Sequence, residues 1–266
     1  MQDWKNLGLD HWLIELCGKI GYKKPTTIQK RSIPLLLKNK NLLCIFLYNF
    51  LVHSETGSGK TAAFAFPMLQ KLFRDPRGIY AVVVAPAREV AIQLTEQISF
   101  FGSANQVRCL SVYGGVSEMS QKIELEDIPH IIVGTPGRLA TLLKKSKKAQ
   151  KYLKNCEYLI IDEADRMADP TLQDFIFDII NLVPDDVQHI FSSATIDESD
   201  LVFLNKLKKK PNTSIEKIST IKALEKAKSI TLKYLLMPEM VKDGYLVGLL
   251  KKYKDKEIII FFNSCE

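Results

Sequence analysis

The residue types best suited to chemistry lie in the segment 54–61, Ser-Glu-Thr-Gly-Ser-Gly-Lys-Thr. Its two glycines permit positive φ angles and a close approach of the backbone to a phosphate, and successive N–H groups of such a loop form an anion cradle. In this pattern Lys60 reaches the β- and γ-phosphates and the Thr61 hydroxyl binds Mg²⁺. Only the first position departs from the usual phosphate loop, with Ser54 in place of glycine. We therefore predict a nucleoside triphosphate site formed by Ser54, Glu55, Thr56, Gly57, Ser58, Gly59, Lys60 and Thr61.

An acidic cluster, Asp162-Glu163-Ala164-Asp165, lies further along the chain. The apolar residues 158–161 before it predict a buried parallel strand. Parallel sheets place ligands at the carboxyl ends of their strands, so Asp162 is expected to face the phosphates. We predict that Asp162 binds Mg²⁺ through water, because magnesium gives up its hydration shell reluctantly. Glu163 is the candidate that orients and deprotonates the attacking water.

These two segments, together with those described next, resemble motifs of the DEAD-box family of ATP-dependent RNA helicases. The resemblance extends from about Trp4 to the C-terminus. Residues 21–29 resemble the family's Q motif, which implies that Gln29 recognises the adenine edge. The resemblance also implies that Trp4 stacks on the adenine ring. The family normally has phenylalanine where Trp4 stands and proline where Thr27 stands. The ligands implied by this resemblance are ATP and Mg²⁺.

Three further segments resemble the RNA-contacting motifs of the family. The first, residues 86–89, has Ala87 where the family usually has threonine. Each segment follows an apolar run, so each is expected on a loop between a strand and a helix at one edge of the sheet. Guanidinium groups bind phosphate oxygens through several donors, and such backbone contacts are independent of base sequence. The resemblance implies RNA contacts by Pro86, Arg88, Glu89, Gly114, Gly115, Thr135, Pro136, Gly137 and Arg138.

The segment Ser193-Ala194-Thr195 resembles the family motif that couples the nucleotide state to domain closure. By this resemblance, the hydroxyls of Ser193 and Thr195 are expected to bond to the acidic cluster through Asp165. Ser192 stands where relatives have phenylalanine, which predicts looser local packing.

Apolar runs alternate with amphipathic stretches, which predicts an α/β fold with a central parallel sheet flanked by helices and joined by right-handed crossovers. The resemblance implies a RecA-like P-loop NTPase domain at residues 1–212, with the Q motif at 4–29. It also implies a linker at 213–229 and an incomplete second RecA-like domain at 230–266. The stretch from Leu232 looks most like the nucleolar branch that serves small-subunit ribosome biogenesis. That likeness implies a function in ribosomal RNA processing, ribosome-biogenesis proteins as partners, and a nuclear or nucleolar location rather than a cytoplasmic one.

The sequence ends at Glu266, ahead of an Asp-rich motif and a His-Arg-Gly-Arg motif that the family's second domain carries. Arginine fingers accelerate phosphoryl transfer by roughly 10³–10⁵-fold. We therefore expect this chain alone to bind ATP weakly, to hydrolyse it slowly and not to unwind duplexes.

The apolar stretch 42–52 is a misfit to the family pattern. It exceeds the about four to eight residues of a buried strand and falls short of the roughly 18–20 needed to span a bilayer. We interpret it as a strand with an insertion, or as a translated intron, that enters the site beside the phosphate segment.

The composition is typical of a soluble globular protein, with 46% hydrophobic and 25% charged residues among 266. A net charge of +7 suits an RNA partner without being diagnostic of one. A lysine run either flanks RNA phosphates or forms a solvated helix face; it comprises Lys144, Lys145, Lys147, Lys148, Lys151 and Lys154. We expect no membrane segment, no signal peptide and a monomer.

The five cysteines are scattered and have no metal-binding spacing, which predicts reduced thiols in the cytosol or nucleus. The four histidines are isolated, and none is predicted to bind a metal.

Two other functions stay open. The chain could be a non-catalytic, nucleotide-responsive module that binds RNA or protein and competes with a complete helicase, which RNA-stimulated turnover would argue against. It could also be a P-loop ATPase that acts on DNA or protein; the Q-motif match and the acidic tetrad disfavour this, and a preference for DNA strands would revive it.

Overall fold

The computed structural model describes residues 2–39, 42–45, 59–193, 202–204, 206–207, 216–219, 233–258 and 260. The chain divides into two compact units, Met1–Glu225 and Lys226–Glu266. The predicted boundaries near residues 212 and 230 lie outside the described residues and stay predictions.

Among the described residues, seven strands form one sheet in the order β3-β4-β2-β5-β6-β1-β7, and every neighbouring pair is parallel. The strands are β1 (Leu42–Ile45), β2 (Ala81–Val84), β3 (Cys109–Val112), β4 (Ile131–Gly134), β5 (Tyr158–Ile161), β6 (Gln188–Ser193) and β7 (Glu216–Ser219). The predicted α/β fold with a central parallel sheet is confirmed. However, β7 lies inside the segment 213–229 that we predicted as a linker, and it pairs with β1. That part of the segment therefore belongs to the sheet.

Helices cover both faces of the sheet. They are α1 (Gln2–Lys5), α2 (His11–Lys19), α3 (Thr27–Leu37), α4 (Lys60–Arg74), α5 (Arg88–Gly102), α6 (Glu118–Glu126), α7 (Pro136–Lys145), α8 (Lys147–Leu153), α9 (Ala164–Met167) and α10 (Pro170–Leu182). The second unit has a helix of its own, α11 (Lys242–Lys252). Short 3₁₀ turns occur at Ser103–Asn105 and Glu239–Val241.

The sheet has a hydrophobic core on each of its faces, because the side chains of successive residues in a strand point to opposite faces. Val83 of β2 packs with residues of α2 to α5 on one face. Val82 packs with residues of α7, α8 and α10 on the other. Since both faces are covered, all four residues of β2 are buried, which explains its unbroken apolar sequence.

Local sequence determines where the helices at the site begin. Gly59, with φ of 74°, precedes α4 in the left-handed region that glycine tolerates best. Pro136 occupies the first turn of α7, where its missing N–H costs no hydrogen bond. Asp169 caps α10 by accepting from the Thr171 N–H at 2.8 Å. The residues that begin these helices determine where the preceding loops end.

The apolar stretch 42–52 is described only in part. Its first four residues form β1, which pairs with β6 and β7, as the strand part of our interpretation requires. Residues 46–52 lie outside the described residues, so the insertion stays a prediction. None of the helices formed by the described residues is long and apolar enough to cross a membrane.

The second unit is described at 233–258 and 260. It contains α11 and carries several highly exposed apolar side chains, among them Tyr234, Leu236 and Met240.

Candidate functional site

The predicted site residues gather where the parallel strands end. Val84 of β2 lies beside Gly134 of β4 and Ile161 of β5, and Val112 of β3 lies beside Gly134 as well. The loops after these four strands therefore begin at one level. They carry all three predicted RNA segments and the acidic cluster, as expected for ligand sites at the carboxyl edge of a parallel sheet.

Of the phosphate segment 54–61, the structure describes only the last three residues. Gly59, Lys60 and Thr61 form the start of α4, and all three are half-buried. The N-terminus of a helix presents unpaired N–H groups and a partial positive charge, which suits a phosphate. The remaining predicted positions, Ser54, Glu55, Thr56, Gly57 and Ser58, lie outside the described residues, so their contacts stay predictions.

Gln29 is buried and ties the start of α3 to the phosphate segment. Its Oε1 accepts from the Thr26 N–H at 2.8 Å, completing a capping box. Its Nε2 donates to the Gly59 carbonyl at 3.0 Å. A Cβ atom at Gly59 would collide with this amide. Adenine recognition by Gln29 would therefore have to use the second hydrogen of Nε2 or the free lone pair of Oε1.

Trp4 does not have the placement predicted for it. The side chain is fully buried, with 0% exposure. Its ring makes an edge contact with Phe66, with centroids 5.9 Å apart, and its Nε1 donates to the Tyr22 carbonyl at 2.9 Å. A ring with no exposed surface cannot stack on a base in this conformation, so the predicted adenine stacking by Trp4 is corrected. Trp4 instead anchors Tyr22, the partly exposed aromatic residue of the Q-motif segment.

Asp162 lies at the tip of β5, where its backbone N–H donates to the Val84 carbonyl at 2.9 Å. Burial raises the pKa of this carboxyl, and the Ser192 hydroxyl, the Lys60 ammonium and the Glu163 N–H act against the rise. The positive charge of Lys60, at the start of α4, is therefore one of the groups that favour the ionised form of Asp162. Since desolvation outweighs these opposing groups, a further cation such as Mg²⁺ suits the carboxylate oxygens of Asp162.

Glu163 sits in a strained backbone conformation, with φ of 49° and ψ of 55°. Non-glycine residues are uncommon in this left-handed region, and such strain often accompanies functional positions. Its Oε2 pairs with Nε of Arg166 at 3.1 Å. Because the Arg166 side chain is 68% exposed, this ion pair is weak and easily exchanged.

Two of the three predicted coupling residues, Asp165 and Ser193, lie among the described residues. Ser193 is the buried last residue of β6, and Asp165 lies in α9, which packs against β6. The two residues are thus on neighbouring elements. Thr195 lies outside the described residues, so the predicted bond to the acidic cluster stays a prediction.

The loop after β3, residues 113–116, lies between the two predicted RNA-binding arginines. The guanidinium of Arg88 lies over the Tyr113 ring, 5.0 Å from its centroid. On the other side, Nη1 of Arg138 donates to the Val116 carbonyl at 3.1 Å and to Oε1 of Gln121 at 3.2 Å. The structure therefore brings together Arg88, the glycine pair and Arg138, as predicted from the sequence.

Two glycines of this surface are not required by the fold itself. A Cβ atom at Gly114 would meet nothing within 4 Å. At Gly137 it would make ordinary contact with the Phe175 ring, at 3.7 Å or more. Neither residue has a positive φ, whereas Gly115 has φ of 86°. Small residues at positions where the protein leaves space are consistent with close approach by an external ligand.

The other predicted RNA residues flank these positions. Pro86 is half-buried, and Glu89 is exposed in the first turn of α5. Ala87 is the N-cap of that helix and supplies no side-chain cap. Thr135 is held by its N–H, which donates to the Val112 carbonyl at 2.9 Å, and Pro136 is buried in the first turn of α7.

The lysine run is partly engaged in structural contacts. Lys144 pairs with Asp178 at 2.5 Å and Lys145 with Glu118 at 2.6 Å. Lys148 donates to the Glu126 carbonyl at 2.5 Å. These contacts favour the interpretation of the run as a solvated helix face.

The described residues outside this site offer little for metal binding or thiol chemistry. Within the described ranges there is no cluster of three or more His, Cys, Asp or Glu side chains able to hold a metal ion. Cys17, Cys109 and Cys156 are free thiols. Burial raises the pKa of all three, to about 12, 11 and 12, so they are poor nucleophiles.

Sequence reasoning missed three residues that contact the predicted site. Tyr113 and Gln121 hold the two arginines, and Arg166 pairs with Glu163. For Arg166 the signal was available, since a basic residue three positions after an acidic one on a helix is within pairing distance. For Tyr113 and Gln121 no local pattern marks the contact.

Comparison with known proteins agrees with this geometry. The DEAD/DEAH box helicase family matches residues 26–202. The chain is 36% identical to a probable ATP-dependent RNA helicase, ddx49, of Dictyostelium discoideum, covering 98% of this chain and 49% of that protein. It is 38% identical to the ATP-dependent rRNA helicase rrp-3 of Neurospora crassa, covering 97% and 48%. The chain thus spans about half the length of the curated relatives it matches.

Solved structures show the same likeness. A DEAD box protein from the hyperthermophile Methanococcus jannaschii is 28% identical, with a TM-score of 0.70 over 94% of this chain and 63% of that one. Dbp5 of Saccharomyces cerevisiae, solved with RNA and ADP BeF3, is 29% identical, with a TM-score of 0.67 over 81% and 51%.

Proposed function

Because the chain belongs to the DEAD/DEAH box helicase family, we propose that it carries the ATP-binding and RNA-binding half of an ATP-dependent RNA helicase. The observation that supports this most is the electrostatic effect of Lys60 on Asp162, at the edge of the sheet whose loops carry Arg88 and Arg138. A nucleotide site and a phosphate-binding surface thus share one edge of the sheet. Because the two sites lie on neighbouring loops of the same sheet, binding of one ligand can affect binding of the other.

In the proposed nucleotide site, the Lys60 ammonium binds the β- and γ-phosphates and neutralises charge that develops during transfer. Thr61 and Asp162 would hold Mg²⁺, Asp162 through water; when bound, the ion supplies charge neutralisation at the phosphates. Gln29 selects adenine while fixing Gly59. Tyr22 is the partly exposed ring of the Q-motif segment, and we propose it in place of Trp4 as the aromatic contact to the base.

Glu163 is the residue that we propose to orient and accept a proton from the attacking water. Its carboxylate is shared with Arg166 in this structure, at 3.1 Å. Arg166 and the attacking water would compete for the same carboxylate oxygens, so exchange of Arg166 would leave Glu163 able to bind the water. The left-handed backbone at Glu163 turns the chain sharply from β5 into α9.

The RNA surface is proposed to bind the sugar-phosphate backbone. Arg88 and Arg138 would contact phosphate oxygens, and Gly114 and Gly137 leave room for the strand. Contacts of this type do not read the base sequence. Coupling of the two sites would run through Ser193 and Asp165, on the adjoining β6 and α9.

Ribosomal RNA processing is the biological role that we propose, because a relative at 38% identity is named an rRNA helicase. A nucleolar location, partners among ribosome-biogenesis proteins and a monomeric state form part of this proposal. We also propose that this chain alone turns over slowly.

The test measures ATP binding and ATP hydrolysis, with and without single-stranded RNA, for the full chain and for Lys60→Ala and Glu163→Gln. Loss of a charge-assisted contact of about 1.5–3 kcal/mol predicts ATP binding about 10- to 100-fold weaker in Lys60→Ala. Glu163→Gln should bind ATP normally and lose any turnover. Binding of both ligands with no RNA-stimulated hydrolysis would favour the non-catalytic module. Unchanged ATP binding in Lys60→Ala would refute the proposed site.

The RNA surface has its own test, the affinity for a labelled oligouridine over a range of salt concentrations. Each lost phosphate contact reduces the slope of log affinity against log salt by about 0.7 for single strands. Arg88→Ala should show this reduction. Arg74→Ala is the matched control, because Arg74 is an exposed arginine at the far end of α4, roughly 20 Å from Lys60. Equal slopes for the two variants would refute the surface.

A further inference from the structure

One loop contacts both arginines of the proposed RNA surface. Residues 113–116, hereafter the β3 loop, connect β3 to α6. The Tyr113 ring lies under the Arg88 guanidinium, at 5.0 Å. Gly115 lies close to Arg88 as well, since a Cβ atom there would come within 3.3 Å of Nη1 of Arg88. Arg88 is therefore close to both Tyr113 and Gly115 of this loop.

The geometry leaves Arg88 available to a ligand. Among the described residues, Arg88 has this ring contact and no hydrogen-bond or ion-pair partner. A cation–π contact uses the face of the guanidinium. Its five N–H donors lie in the plane of the group and stay free for phosphate oxygens.

Arg138 is held from the opposite end of the same loop. Its Nη1 donates to the Val116 carbonyl and to Oε1 of Gln121. Gln121 is only 4% exposed, although it is polar, and it projects from α6 immediately after the loop. A buried amide is costly unless its hydrogen bonds are satisfied, so its bond to Arg138 fixes both side chains. Within the described part of the chain, no protein group is hydrogen-bonded to Nε or Nη2 of Arg138, so these nitrogens are available to a ligand.

We propose that Tyr113 and Gln121 are positioning residues for RNA binding, which hold Arg88 and Arg138 in the orientation that receives the phosphate backbone. This inference rests on the proposed function of the same surface. Arginine carries a large side-chain conformational entropy. Restricting it before binding reduces the entropy lost on RNA binding, which raises affinity without adding a contact to RNA.

The experiment is a pair of double-mutant cycles on the full chain, with the affinity for labelled oligouridine as the readout. The first cycle combines Tyr113→Leu with Arg88→Ala, and Tyr113→Phe serves as the conservative variant. Cation–π contacts at exposed sites are worth about 0.5–1 kcal/mol, so Tyr113→Leu should weaken binding about two- to five-fold. Tyr113→Phe should bind as the parent does. In the Arg88→Ala background, Tyr113→Leu should have no further effect.

The second cycle combines Gln121→Met with Arg138→Ala. Methionine has a similar length and no acceptor oxygen, so it tests the hydrogen bond to Arg138 while keeping the packing. We expect weaker RNA binding in the parent background and no additional loss when Arg138 is already absent. Thermal unfolding of each variant checks that the affinity is measured on folded protein.

The outcomes separate this inference from the proposed function. If Arg88→Ala and Arg138→Ala both bind RNA as the parent does, the proposed RNA surface itself is wrong. If they weaken binding but Tyr113→Leu and Gln121→Met do not, the positioning role is overturned and the surface stands. If Tyr113→Leu is equally harmful with and without Arg88, Tyr113 contacts RNA directly, and the positioning role fails for that residue.

Discussion

Replacing glycines on and off the proposed RNA surface should separate ligand binding from folding. Gly114 has open space around it and no positive φ. Gly102, at the end of α5, also has a negative φ but is crowded: a Cβ atom there would lie 2.6 Å from Cβ and 2.8 Å from Cγ2 of Val107. Both residues lose one hydrogen atom and gain one methyl group on substitution by alanine. The two variants are therefore chemically matched.

The magnitudes follow from this crowding. Overpacking a well-packed region costs about 1–3 kcal/mol, so Gly102→Ala should lower the free energy of unfolding by that amount. Gly114→Ala should leave it unchanged or raise it by about 0.4–1 kcal/mol, because alanine has less conformational freedom in the unfolded chain. If the RNA backbone approaches Gly114 closely, the added methyl group displaces at least one phosphate contact. Loss of one charge-assisted bond, about 1.5–3 kcal/mol, predicts at least tenfold weaker RNA binding.

The assay pairs urea unfolding with oligouridine affinity on both variants. Gly102→Ala should lose stability and keep its RNA affinity, since it lies at the far end of a 15-residue helix that begins at Arg88. Gly114→Ala should show the reverse. Parent-like RNA affinity in Gly114→Ala would refute the argument that the glycine serves a ligand. A stability loss as large as that of Gly102→Ala would refute the argument that the fold leaves the position open.

Three further predictions concern the scaffold around the site. Ala87→Thr should stabilise the protein in urea unfolding by about 0.5–2 kcal/mol, because Ala87 is the N-cap of α5 and lacks a capping oxygen; no gain would show that the helix start is satisfied otherwise. Thr27→Pro should stabilise by about 0.4–1 kcal/mol, since Thr27 is the first residue of α3 and Thr26 has the extended conformation that proline requires before it; a loss would mean that its N–H is needed. Burial lowers the pKa of Lys71 from 10.5 to about 8, so the unfolded chain binds more protons between these values and stability should rise with pH across that window. Lys71→Met should lack this rise, and an identical pH profile in that variant would contradict the assignment.

Much of the site could be predicted because strand ends in a parallel sheet converge. Apolar runs located β2, β4 and β5, and the residues that follow them were therefore expected at one edge. The register of Val84 with Gly134 and Ile161 confirms that expectation. The electrostatic effect of Lys60 on Asp162 is explained by the same rule, although the two residues are far apart in the chain.

The errors have equally specific causes. Motif spacing located Trp4 along the chain but carried no information about which surface its ring faces, and packing against Phe66 buries it. The lysine-rich composition of the segment predicted as a linker did not reveal β7, because a short edge strand depends on its partner β1 more than on its own composition. Tyr113 and Gln121 were missed because their arginine partners come from other loops, brought together only by the sheet.

The central claim is that the start of α4 and the tip of β5 form an ATP site. Its most direct test is equilibrium binding of a fluorescent ATP analogue, with magnesium, to the full chain and to Lys60→Ala, after unfolding curves show that both are folded. The account predicts saturable binding by the parent that is about 10- to 100-fold weaker in the variant, from the loss of one charge-assisted phosphate contact. Equal binding by the two proteins would contradict the account.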